Sequence, residues 1–341
     1  MKKRVELPLV EPMYSTYHRQ GPCTAIIVNN PTIRNWYLNR VMNLTCSRSF
    51  LHGFTSPQIS IAESSWCENP YFEQIIVSSR FAKGHINSII REMIDNGYYV
   101  AFTNIDDFYI KNKSWYHERH SVHDGMICGY DQNDKTFCIY AYDSNWRYRK
   151  FWTSQRSFNK GRISMLKQNV FTDLYALKAS DEVIEFSAKE VYDHLKEYLD
   201  SDLTKYPYEE EGDVYGIVVH KFIADYVSKL YTGEIPYNRM DRRVFRLIWE
   251  HKKVMLERII LVEKNLGLNN RISNKYEGLV RDAHEMRMLY ASHHMKRRDS
   301  VLPIIQEKIL RLMQDEQTLL ERLLRKMERK FRNESVEVSQ G

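Results

Sequence analysis

The hydrophobic period of the chain changes near residue 180, and that change limits what it can fold into more than any other feature. Before it, short β-branched and aromatic runs alternate with brief helical stretches. After it, apolar residues recur every three or four positions over long segments. In the last segment, Ser300 to about Arg332, the residues Ile305, Ile309, Leu312, Leu320, Leu323, Met327 and Phe331 make one apolar stripe with Arg and Lys opposite. Such a stripe has to be covered, so it reads as helical core or as the seam of a homodimer. The expected organisation is an α+β domain over residues 1–180, an all-helical domain over 181–333, and a disordered tail over 334–341.

Local signals fill in this outline. Ile86 to Asn96 has helical spacing and stops at Gly97, and Tyr98 to Asn104 has the composition of a strand. His123 to Tyr130 and Thr136 to Tyr142 flank the polar run Asp131-Gln132-Asn133-Asp134, which predicts an antiparallel hairpin. Farther on, Ser187 and Glu190 form a capping box for a helix over Ala188 to Leu199. Asp213 is placed to cap a helix running through Tyr231 before Gly233, with a loop over 200–212. Helices are also predicted over Arg242 to Leu266 and Ser273 to about Lys296.

Composition excludes several classes. With 43% hydrophobic residues and 23 Tyr, 14 Phe and 6 Trp among 341, the chain has the core material that disordered chains lack. No apolar run approaches the roughly 18 to 20 residues of a membrane helix. The basic start Met1-Lys2-Lys3-Arg4 is followed by a stretch too short, and too broken by Glu6 and Pro8, for a secretory signal. Five cysteines at 23, 46, 67, 128 and 138 contain no C-x-x-C pair, which fits reduced thiols in a cytoplasmic protein. The net charge of +6 is concentrated in residues 241–341, which carry 22 Lys and Arg against 15 Asp and Glu. That excess is mild for a nucleic-acid binder and suits a solvated helix face or a docking surface for an acidic partner. Phosphate-binding and serine-hydrolase motifs are absent from the sequence, so no nucleotide cofactor is expected.

One constellation carries chemistry. In His18-Arg19-Gln20-Gly21-Pro22-Cys23 a Gly-Pro turn precedes a thiol at the expected start of a helix, where the dipole favours thiolate. Gln20 is near enough to offer an amide N–H to an oxyanion. His123 heads the first hairpin strand and Asp143 follows the second, so a turn near residue 133 makes them neighbours and a Cys23-His123-Asp143 relay can be drawn. His120 competes with His123 for the base, and Asp124 and Asp131 compete with Asp143, though Asp131 also suits a plain turn. His117, His120 and His123 would present a metal-binding face only on a helix, which Trp115-Tyr116 and the following strand argue against, and no metal is expected. Cys46, Cys67, Cys128 and Cys138 read as packing residues.

The order Cys23, then His123-Asp-Gly-Met-Ile-Cys-Gly129-Tyr130-Asp131, then a strand ending in Asp143 resembles papain-like cysteine peptidases that process bacteriocins. It also resembles the N-terminal domain of the butirosin biosynthesis protein H (BtrH-like) family. Ile94 to Ile110, the Asp200 to Val219 region and the helical C-terminal part are similar to the BtrH-like family as well, so that likeness spans most of the chain. It implies a papain-like fold and an acyltransferase of secondary-metabolite biosynthesis, of the nonribosomal peptide or polyketide type. In that family a cysteine takes an acyl group from the phosphopantetheine thioester of an acyl or peptidyl carrier protein and gives it to a small amine acceptor. Carried over, Cys23 is the nucleophile, His123 the base and Asp143 the orienting acid. Gln20 departs from the papain-like pattern, lying closer to the cysteine than the oxyanion glutamine of those peptidases. A cysteine peptidase or thioesterase with the same triad, and a non-catalytic protein that binds a carrier protein or peptide, are the alternatives.

Overall fold

The computed structural model describes residues 4–17, 20–47, 50, 56–64, 69–201 and 213–340. In chain order its elements begin with β1 (Arg4–Glu6), α1 (Gln20–Asn29), α2 (Pro31–Arg40), β2 (Leu44–Ser47), β3 (Ser60–Ile61), β4 (Phe72–Val77), α3 (Ser79–Ala82), α4 (Ile86–Asp95) and β5 (Tyr99–Asp106). There follow β6 (Val122–Asp131), β7 (Thr136–Tyr142), β8 (Tyr148–Ser154), α5 (Gln155–Lys167), β9 (Leu174–Ala179), α6 (Ala188–Asp200), β10 (Asp213–Tyr215) and α7 (Val219–Thr232). The chain ends with α8 (Val244–Asn265), α9 (Arg271–Lys296) and α10 (Leu302–Gln340). It divides into two compact units, residues 1–34 with 64–183 and residues 35–63 with 184–341. The protein is thus mixed helix and antiparallel sheet with a helical C-terminal region.

The first unit is built on a sheet of order β4-β9-β5-β6-β7-β8, antiparallel throughout, with β1 pairing the far end of β6. Ile86, Ile90 and Ile94 fall on one face of α4 and are buried in a core that includes Phe102, Ile127, Ile139 and Phe158. Each such side chain removed from water contributes roughly 1.5–3 kcal/mol. Gly97, at φ 85, ends α4 and turns the chain into β5, as the helix-then-strand pattern of the sequence requires. The β6–β7 hairpin has the register Met126↔Tyr140 and Ile127↔Ile139, and Asp131 accepts the N–H groups of Asn133 and Asp134 at its turn. Gly129 is needed where β1 crosses, because a Cβ there would lie 2.5 Å from the Val5 carbonyl oxygen. The Gly129-Tyr130-Asp131 run that carried the family likeness is therefore explained by the sheet itself.

In the second unit α10 lays its stripe inside its own chain: Ile305, Ile309, Leu312, Leu320, Leu323 and Met327 are buried, and α10 packs against α6, α7 and α9. The stripe is core, not the seam of a homodimer. Residues 35–63, expected in the N-terminal domain, belong to this unit instead. The buried Arg258 guanidinium of α8 donates to the carbonyls of Leu38 and Val41, His251 Nε2 donates to the Met42 carbonyl, and β2 pairs with β10. Those partners are more than 150 residues away in sequence, beyond any local pattern. Ser187 caps α6 as predicted, its hydroxyl accepting the Glu190 N–H at 3.2 Å. Asp213 does not cap a helix; it opens β10, and the following helix starts at Val219. The loop predicted over 200–212 lies almost wholly outside the described residues. The expected disordered tail is helical, since α10 continues through Gln340 with no Gly or Pro to stop it.

A fully buried polar cluster crosses the second unit. Lys252 Nζ is 2.6 Å from Glu316 Oε2, and Tyr198 and Tyr276 donate to the same carboxylate. His220 donates from Nδ1 to the Ile217 carbonyl and brings Nε2 to 3.7 Å from Glu316, while His251 Nδ1 accepts from Lys252 at 3.2 Å. Each charge has an opposite charge or a dipole beside it, without which burial would be prohibitive.

Candidate functional site

The site forms where the ends of β5, β6 and β7 meet in the first unit. β5 carries a register shift between Phe102 and Ile105, with Asn104 at φ 57 donating its N–H to Asp124 Oδ1. Beyond this irregularity the strand ends in two consecutive acids. Asp106 caps a short 3-10 turn, accepting the Phe108 N–H, and holds His120 Nδ1 at 2.6 Å and the Ser164 hydroxyl at 2.8 Å. Asp107, the next residue, turns the other way and holds His123 Nδ1 at 2.5 Å through Oδ2. Its other oxygen lies 3.6 Å from Lys113 Nζ, and both of these side chains are about 95% buried. Gly161 of α5 allows this packing, since a Cβ there would come within 2.9 Å of the Asp106 carbonyl oxygen.

Asp107, Lys113, His123 and Asp143 line one small pocket, walled by the rings of Tyr142, Trp115 and Trp146. The two indoles meet edge to face at 6.2 Å, and Arg119 stacks over Trp115. The loop that carries Lys113 is tied to the β7–β8 turn, because the Ser144 N–H bonds the Asn112 carbonyl at 2.7 Å.

His123 and Asp143 come together as the hairpin argument expects. The register Met126↔Tyr140, extended three residues, sets them opposite each other, and both face the pocket. The orienting acid is nevertheless not Asp143. Its carboxylate accepts the N–H groups of Asn145 and Arg147 and pairs with Arg149, closing the β7–β8 turn. Burial would raise the Asp143 carboxyl, but those N–H groups and the guanidinium outweigh it and hold it below the usual carboxylate range. The acid on His123 is Asp107. Sequence reasoning missed Asp107 and Lys113; the available signal was two adjacent acids closing a predicted strand.

Cys23 lies in the first turn of α1 and is 1% exposed. The N–H groups of Gln20 and Gly21 bond the Tyr17 carbonyl, and Pro22 has none. Gln20, expected at an oxyanion, donates its amide to Ser64 Oγ at 2.8 Å. Neither Cys23 nor Gln20 lines the pocket around His123. The first turn of α1 does approach it: a Cβ on Gly21 would strike the Tyr148 ring at 2.4 Å, and Tyr148 packs edge-on against Tyr142 of the pocket wall.

The competing residues are placed as well. His120 pairs with Asp106 and stacks on Phe108 at 4.5 Å, with more than half of its side chain exposed. His117 stacks on Tyr116 and also approaches the Phe108 ring on which His120 stacks, and no metal-binding group of His, Cys, Asp or Glu occurs among the described residues. Asp131 is the hairpin-turn residue. Cys46, Cys128 and Cys138 are buried packing residues, and Cys67 lies outside the described residues. No helix among the described residues is long and apolar enough to cross a membrane.

What the geometry offers is a general base. A carboxylate on Nδ1 fixes the imidazole so that Nε2 is the acceptor, and stabilises the imidazolium that forms when a proton arrives. No family model matches the chain, and no curated protein matches it either.

Proposed function

We propose that the protein is a cysteine-dependent acyltransferase of the BtrH-like kind, with a papain-like first unit, acting on a carrier-protein thioester and a small amine. The observation that carries this reading is the buried Asp107 held 2.5 Å from His123 Nδ1 at the rim of an aromatic pocket. His123 takes the proton of the Cys23 thiol, and the sulfur attacks the thioester carbonyl. The tetrahedral intermediate collapses with release of the phosphopantetheine thiol, which receives the proton from His123. The amine then attacks the acyl-cysteine, His123 accepts its proton, and the Cys23 thiol is regenerated as the amide leaves. Asp107 holds the imidazole through both halves. Phosphopantetheine arrives with the carrier protein, and the reaction as written draws on no other group. The indole faces of the pocket suit an amine that arrives as a cation.

A second reading is favoured by the position of Cys23 outside the pocket lining. In it the His123–Asp107 pair activates water or the amine directly on a bound thioester, without an acyl-enzyme. The deciding experiment incubates the full chain with a short acyl thioester of a phosphopantetheine mimic and weighs the intact protein. An acyl adduct on Cys23, lost in Cys23→Ala and slowed in His123→Ala, supports the first reading. Thioester turnover that survives Cys23→Ala but needs His123 supports the second. No adduct and no His123-dependent turnover would sink both.

A further inference from the structure

We infer that Lys113 is the positioning residue of this site, its buried ammonium balancing Asp107 so that the carboxylate orients His123 without drawing it into a permanent ion pair. The inference deepens the proposed role of His123 as base and rests on that reading for its catalytic meaning.

Asp107 divides its two oxygens between two partners, Oδ2 to His123 Nδ1 at 2.5 Å and Oδ1 to Lys113 Nζ at 3.6 Å. A buried carboxylate facing an imidazole alone favours the imidazolium, and a histidine already protonated cannot serve as a base. A second cation on the far oxygen opposes that protonation while keeping the carboxylate charged. Lys113 is held there by structure. Its N–H bonds the Ile110 carbonyl, Ile110 is buried, and Asn112 is tied to the β7–β8 turn.

The other charges facing the pair come from every element around it. Asp124 lies on β6 and is engaged by the Asn104 N–H; Asp143, after β7, is matched by Arg149 of β8; Asp106 and His120 form the adjoining pair. Burial lowers Lys113 from its ordinary value, and Asp107 first, then Asp124 and Asp143, oppose that loss. Lys113 is thus the buried cation in a group of acids, on the pocket wall beside Asp107.

The test is the titration of His123 in the full chain, followed by NMR of protein carrying labelled histidine, with His123→Gln assigning the signal. In Lys113→Met the protonation midpoint of His123 is expected to move up by about one pH unit, the low end of the effect of a neighbouring charge because Lys113 acts across a carboxylate. Lys113→Arg should return it close to the parent value. The acid limb of the pH–rate profile should move with the midpoint. An unmoved midpoint in Lys113→Met, or an equal shift in Lys113→Arg, overturns the inference. Should the variants fail to fold, the resonances of Lys113 and His123 in the unmodified protein decide: a Lys113 ammonium beside a neutral His123 at pH 7 upholds it, and a neutral Lys113 amine or a His123 imidazolium overturns it. Loss of acyl transfer with the midpoint shift intact would remove the acyltransferase reading and leave the electrostatic role standing.

Discussion

Acid should destabilise the helical unit steeply, through two histidines that the fold keeps neutral. His220 and His251 are both fully buried in the cluster around Glu316 and Lys252. Burial first, then the Lys252 charge, lowers His220 from 6.5 to about 3, although Glu316 and the Ile217 carbonyl act the other way. Burial and Lys252 likewise push His251 well below 6.5. In the unfolded chain both protonate near 6.5, so between that value and about 3 the unfolded state holds more protons and stability falls as pH falls. The contribution is complete above 6.5. Glu316 is held below its ordinary value and so adds little in the upper part of this window. For His220 the loss between pH 7.5 and pH 5 works out at about 2 kcal/mol, and His251 adds to it in the same direction. Urea unfolding of the full chain followed by helical circular dichroism at several pH values measures it. His220→Asn, whose side-chain amide can replace the bond to the Ile217 carbonyl, should remove the share of about 2 kcal/mol that His220 contributes. A change of less than about 1 kcal/mol between pH 7.5 and pH 5, or a His220→Asn variant with the parent's dependence, would refute the reasoning.

The two acids of the pocket should separate by what they control. Asp107→Asn should lower the rate of the proposed acyl transfer by about a hundredfold or more, and it should also cost stability, because it takes away the buried countercharge of Lys113. Asp143→Asn should instead weaken the turn that its carboxylate closes, costing about 1–3 kcal/mol in unfolding experiments. Gly129→Ala should cost about 1–3 kcal/mol, because its Cβ would meet the Val5 carbonyl at 2.5 Å; thermal unfolding reads this directly. The Cys46 thiol, pushed up to about 12 chiefly by burial, should remain unalkylated at neutral pH in the folded protein and react promptly once urea is added. Mass spectrometry of the modified peptides reports which cysteine has reacted.

Elements whose signals are local were legible. α4 and β5, the β6–β7 hairpin, the Ser187 cap and the long C-terminal helices all follow from periodicity, caps and turn residues that act within a few positions. Asp213 was misread because an acid before an apolar run suits a cap and a strand start equally. Only pairing with β2, far away in the chain, decides for the strand. The candidate base was legible for a related reason: hairpin register sets His123 opposite Asp143, so proximity follows from the turn alone.

By itself, then, the sequence determined the class of the segments whose signals are local and the hairpin that brings His123 to a strand end. The tertiary structure decided which acid serves His123. Asp143 is spent on the turn, while Asp107 is aimed at the imidazole by a β5 irregularity, a 3-10 turn and the approach of Gly161 on α5. It also decided that residues 35–63 join the helical unit, through carbonyls captured by Arg258 and His251. A hydrogen bond depends on where two atoms lie to within a few tenths of an ångström, and hydrophobic spacing carries no such information across the distances in sequence that these pairs span.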